Sequence, residues 1–203
     1  MAASTELRWF GQGELDQNTL ELLPAADEHV AIEFRMDDYF AHSNGFGLKV
    51  RGGEKIELKQ QVGQGSEYAT PDSTCSGYIQ EWHKWALPFQ GNVPQQVRDD
   101  RQWTTVVKTR RVRRHKLEGG TFKATNERLP DGVTGCGLEV VNLLVGPDGH
   151  SAWSVELEAF GDDHQERREL LILIANQWLP QTQPALALTR EQSVSYPEWL
   201  NSG

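Results

Sequence analysis

Two short runs carry paired carboxylates or cations at a spacing of two: Lys108 and Arg110 in VVKTRRVRR, and Glu156 and Glu158 in SVELEAFGD. A third set, Lys49, Arg51, Glu57 and Lys59, falls in LKVR and KIELK, which are separated by GGE. In an extended chain a spacing of two puts both side chains on one face. Carboxylates gathered on one face offer the oxygen ligands that hard divalent cations prefer, while lysine and arginine suit phosphate oxygens. The chemistry these residues could perform together is the neutralisation of a phosphate-rich anion.

The elements that must position them read as strands, because apolar residues alternate with the charged ones. Leu48, Val50, Ile56 and Leu58 share one side of a hairpin turned at Gly52 and Gly53, with Lys49, Arg51, Glu57 and Lys59 on the other. Val155, Leu157 and Ala159 oppose Glu156 and Glu158, and Glu139 sits between Leu138 and Val140. Lys108 and Arg110 alternate with Arg111 and Arg113, which places the latter two outside if the former point inward. Further strands are expected over 6–10, 30–36, 78–86, 104–114, 137–145 and 153–160, with Pro147, Asp148 and Gly149 as a turn. From Asp162 or Asp163 to Leu179 the period changes, and Leu170, Leu171, Ile174 and Trp178 form a helical stripe. A weaker helix is expected over 14–23, and the polar segment 61–76 reads as a loop.

Periodicity leaves open which face is inside. If the charged face is solvated, the fold is a sandwich or barrel with an apolar interior. If it lines a cavity, like charges a few ångström apart repel by roughly 4 kcal/mol per close pair at an effective dielectric near 20. Such a cavity needs bound ions of opposite sign.

The 203 residues suit one domain with a single sizeable core, 1–203. No run of apolar residues is long enough for a membrane-spanning helix and no signal peptide is visible, so a cytoplasmic protein with no membrane partner is expected. Cys75 and Cys136 match no metal or redox spacing. The net charge of -9 argues against a nucleic-acid partner. The basic stretch KTRRVRRHK within an acidic chain instead fits a small triphosphate or polyphosphate.

In order, these pieces resemble the CYTH superfamily, the triphosphate tunnel metalloenzymes. STELRWF is similar to that family's opening Glu-x-Glu-x-Lys strand, with Ser4, Glu6 and Arg8 at the matching positions and the first glutamate absent. RMDDYFAHSNGFGLKVRGGEKIELKQ resembles its basic hairpin, VVKTRRVRR its Lys-x-Arg strand, SVELEAFGD its late Glu-x-Glu strand, and SVSYPEWL its terminal Ser-x-Ser-Tyr segment. The resemblance implies a mainly β (α+β) fold, an antiparallel eight-stranded tunnel barrel with a few flanking helices. It implies Mg²⁺ or Mn²⁺ held by Glu6, Glu139, Glu156 and Glu158, and a triphosphate clamped by Arg8, Lys49, Arg51, Lys59, Lys108 and Arg110. Glu156, Glu158 and Lys108 are then the expected catalytic residues. Known members hydrolyse inorganic triphosphate, thiamine triphosphate or RNA 5′-triphosphates, and some cyclise ATP. The competing expectation is a non-catalytic module for a phosphorylated metabolite, in keeping with the absent glutamate.

Overall fold

The computed structural model describes residues 2–20, 30–88, 103–119, 121–125, 127, 129, 132–182 and 185–202. Its strands are β1 (Ala2–Gln12), β2 (Val30–Ser43), β3 (Phe46–Arg51), β4 (Lys55–Ala69), β5 (Ser76–Pro88), β6 (Trp103–Glu118), β7 (Thr121–Thr125), β8 (Gly135–Val145) and β9 (His150–Phe160). The order β2-β3-β4-β5-β1-β9-β8-β6 is closed by pairing of β6 with β2, so eight antiparallel strands form a barrel. Closure leaves none of the eight with a free edge along its main pairing. The β2–β6 ladder stops at Val30 and Arg113, and β7 takes β2's place beside β6 from Arg114 to Glu118. This short ninth strand was not expected from the pattern.

Alternation decides inside from outside. Leu7 and Trp9 of β1, Leu138 and Val140 of β8, and Val155 and Leu157 of β9 point outward, where α2 (His164–Trp178) lies across them. The stripe of Leu170, Leu171, Ile174 and Trp178 packs on that wall, each residue buried. Burial of a side chain of this size contributes about 1.5–3 kcal/mol. Asp163 caps the helix by accepting the Glu166 amide at 2.7 Å. The main apolar core is therefore outside the barrel, between its wall and one helix. Elsewhere on the outer wall, among the described residues, Ile32, Phe34 and Met36 along β2, with Val107 and Leu144, are exposed, Phe34 at 78%.

The polar segment 61–76 is mostly strand rather than loop, because β4 continues to Ala69. A register shift between Val62 and Ser66 hides the alternation, and Gly63 sits in the left-handed region at φ 67° within it. Of the helix expected over 14–23, the described part is α1 (Gln17–Leu20), which begins where Asp16 accepts the Thr19 amide at 2.7 Å. The remainder lies outside the described residues. No helix among the described residues is long and apolar enough to cross a membrane.

The register also orders the barrel from end to end. One end is filled by α3 (Tyr196–Asn201), capped reciprocally by Ser195 and Glu198. Its Tyr196 stacks on Tyr39 at 4.5 Å and its Trp199 on Phe10 at 4.3 Å. Around them are the inward residues Val106, Val141, Leu143 and Ala152, so the far end has an apolar floor. Gly47 is needed there, since a Cβ would meet Pro197 Cγ at 3.0 Å.

Candidate functional site

Between that floor and the opposite mouth, inward positions are charged. On β1 they are Glu6 and Arg8, which pair in register with Glu158 and Glu156 of β9. Glu139 of β8 lies opposite Glu156, and on β6 the inward residues include Lys108 and Arg110. Lys49 and Arg51 of β3, with Lys59 of β4, complete the set expected from the sequence. The structure brings all of these residues onto one inner wall. Arg111, in contrast, reaches outward to the Leu20 carbonyl at 3.3 Å.

Burial grades along the axis. Lys108 and Glu156 are deep, with side chains 3% and 6% exposed, whereas Glu158 and Glu33 near the mouth are about one-third exposed, at 32% and 34%. Sequence reasoning missed several lining residues. Asp37 is fully buried at the centre of a cationic group, taking Arg35 at 3.0 Å and Lys108 at 3.4 Å. Glu33 accepts Arg110 at 2.6 Å and Arg114 at 2.7 Å. Lys84 of β5 contacts Glu6 at 3.0 Å and pairs with Glu158. For three residues of the wall the signal was available in the sequence: Glu33, Arg35 and Asp37 alternate at a spacing of two along β2.

Three carboxylates converge. Glu6, Glu156 and Glu158 each offer an oxygen, and these oxygens all lie within 4.8 Å of one another. Glu139 stands apart from this cluster, held by the Arg110 Nε at 2.9 Å and by Nη2. Ser4, in the place of the family's first glutamate, donates to Glu6 Oε1 at 2.8 Å. Lys59 binds the other Glu6 oxygen, and Arg8 pairs with Glu156. Arg8 reaches Glu156 through the buried oxygen Oε1.

The electrostatics follow from this crowding. Burial, reinforced by Glu6, Glu139 and Glu158, raises the Glu156 carboxyl to about 7 against the pull of Arg8. Burial would also raise Glu6, but Lys59, Lys84 and Arg8 together hold it well below the usual carboxylate range. Lys59 is lowered to about 8 by burial and by the like charge of Lys84, despite Glu6. Lys108 is lowered by burial and by Lys49 and Arg35, with Asp37 opposing. Burial first and the neighbouring carboxylates second disfavour the ionised form of Glu156, and a divalent cation would favour it. The donor set, all oxygen, fits such a cation.

A closed ring of eight antiparallel strands, charged within and packed by a helix without, decides the architecture. The chain has a CYTH-like tunnel fold. No family model and no curated protein matches the sequence. Among solved structures, a conserved hypothetical protein from Pyrococcus furiosus is similar, with a TM-score of 0.51 and 16% identity over 96% of this chain and 98% of that one. A protein from Pyrococcus horikoshii scores 0.49 at 13% identity, with the same coverage of 96% and 98%. The Mimivirus capping-enzyme triphosphatase scores 0.47 at 9% identity, over 88% of this chain and 89% of that one. At 16% identity the likeness to the Pyrococcus furiosus protein is one of fold, and activity rests on the residues of this particular tunnel.

Proposed function

We propose that the chain binds a triphosphate in this tunnel and hydrolyses its terminal phosphoanhydride with Mg²⁺ or Mn²⁺. The observation that carries the reading is the three-carboxylate cluster of Glu6, Glu156 and Glu158 set into a wall where cations predominate. Named by position, Arg8, Arg35, Lys49, Arg51, Lys59, Lys84, Lys108, Arg110 and Arg114 outnumber Glu6, Glu33, Asp37, Glu57, Glu139, Glu156 and Glu158. A cation excess inside a chain of net charge -9 favours a compact polyanion there.

Glu6, Glu156 and Glu158 would hold the metal, with Glu139 oriented beside them by Arg110. Bound there, a hard cation supplies charge to the phosphate oxygens and lowers the pKa of an attacking water. The remaining work is positioning and charge neutralisation, which phosphoryl transfer needs more than covalent help. Arg8, Lys108 and Arg110 sit deep enough to take the terminal phosphate, and Lys49, Arg51 and Lys59 are placed for the outer ones. The apolar floor of Phe10, Tyr39, Tyr196 and Trp199 keeps bulk water from the inner end.

The resemblance favours binding without turnover in one respect: Ser4, which donates to Glu6, stands where the motif would have a glutamate. Phosphate release from inorganic triphosphate, ATP, thiamine triphosphate and pyrophosphate, with Mg²⁺ and with Mn²⁺, separates the two readings. Metal-dependent release that is lost in the Glu156→Gln, Glu158→Gln double variant is the expected result. Tight binding of inorganic triphosphate with no release under any condition leaves the binding module.

A further inference from the structure

Each carboxylate of the cluster already has a cation of the chain's own. Glu156 has Arg8, Glu6 has Lys59 on one oxygen, and Lys84 Nζ lies on the other Glu6 oxygen at 3.0 Å while also pairing with Glu158. The three cations differ in how firmly they are held. Arg8 is 10% exposed, and its guanidinium lies 5.0 Å from the Tyr196 ring and 5.6 Å from that of Phe10. Lys59 lies 4.8 Å from the Trp82 ring. Lys84, paired in register with Ala2 at the end of β1, is the most exposed of the three at 30%. It is a compact charge on a flexible stem, and Glu158 and Glu6 together keep it charged against its partial burial.

We infer that Lys84 is a displaceable counter-ion that occupies the metal's place on Glu6 and Glu158 and moves to the phosphate when the metal arrives. This rests on the metal-dependent reading above. Three carboxylates against three cations is a neutral site. A divalent cation entering it creates a surplus of positive charge, and Lys84 is the group that can leave. Released at the mouth, its ammonium faces the incoming anion. Metal and anion then favour one another's binding, and the coupling is reciprocal.

The test uses the full chain stripped of metal, with free Mn²⁺ counted by its electron paramagnetic resonance signal. Sulfate serves as the anion probe because it chelates Mn²⁺ only weakly. Lys84→Gln is expected to bind Mn²⁺ about 10-fold more tightly than wild type, the order of one lost competing charge at close range. Sulfate is expected to tighten Mn²⁺ binding by wild type and to leave Lys84→Gln unchanged, and Lys84→Arg, which restores the charge, to behave as wild type. If Lys84→Gln binds Mn²⁺ no more tightly than wild type, while Glu158→Gln weakens binding, the role of Lys84 is refuted and the metal site stands. If neither wild type nor Lys84→Gln binds Mn²⁺, both the inference and the metal-dependent reading fall.

Discussion

Replacing Glu156 by glutamine should make the metal-free protein more stable, by an amount that grows with pH. Glu156 is buried, and its carboxyl is raised to about 7. In an unfolded chain it would titrate near 4.3. Between those values the folded state binds more protons than the unfolded one, so stability falls as pH rises across that window and levels off above about 7. At about 1.4 kcal/mol per unit, the ionised carboxylate costs the fold roughly 3–4 kcal/mol at pH 8 and about 1 kcal/mol at pH 5. The attraction of Arg8 is already contained in the raised value, so its loss does not reverse the sign. Glutamine matches the shape of the neutral acid. Urea denaturation of wild type and Glu156→Gln, in chelator at pH 5 and pH 8, should show the variant's advantage increasing by about 2–3 kcal/mol, or a melting shift of roughly 5–10 °C at pH 8. Comparing the two proteins at each pH cancels the other carboxylates. A variant less stable than wild type at pH 8, or an advantage that does not change with pH, would refute the account of Glu156 as a buried carboxyl whose ionised form the metal-free fold disfavours.

Arg110→Ala should weaken binding of inorganic triphosphate by about 10–100-fold in calorimetry and destabilise the fold by about 3–5 kcal/mol, because Glu139 loses its buried partner. Arg111→Ala, on the outer wall, should change triphosphate affinity by less than about 2-fold, and a loss equal to that of Arg110→Ala would put the wrong face inside. Lys59 carries its charge below about 8 and loses it above, so triphosphate affinity should decline as pH rises past 8. That decline should be absent in Lys59→Met. Gly135→Ala should cost about 1–3 kcal/mol in urea denaturation, since the added Cβ would lie 2.6 Å from the His115 carbonyl oxygen, a backbone atom that cannot step aside.

The strands, their faces and most of the wall were legible because alternation survives in a single sequence. What alternation cannot carry is the choice of inside, since an apolar row against α2 and an apolar row in a conventional core look alike. Only the order of motifs favoured a charged interior. Lys84 was missed because β5 reads as an aromatic strand, YIQEWHKW, in which one lysine is unremarked until register puts it beside Glu6 and Glu158. Asp37 was passed over because Asp38 adjoins it, and the choice between them needs the pairing of Asp37 with Arg51. The continuation of β4 past residue 61 was obscured by its bulge, which shifts the period where glycines are frequent. Glu57 behaves as cross-strand pairing suggests, contacting Lys49, Arg51 and Lys55 rather than the carboxylate cluster.

The helix at the far end has a consequence for traffic. With Tyr196 and Trp199 seated against Tyr39 and Phe10, side chains stop the described barrel at that end. A linear molecule that enters from the other end does so end-first, and the distance from floor to rim limits how many of its units meet side chains at once. Under the proposed hydrolysis, the piece cut from the inner end would sit beneath the piece outside it. The outer fragment would then back out first, so the barrel would impose an order of departure as well as a direction of entry.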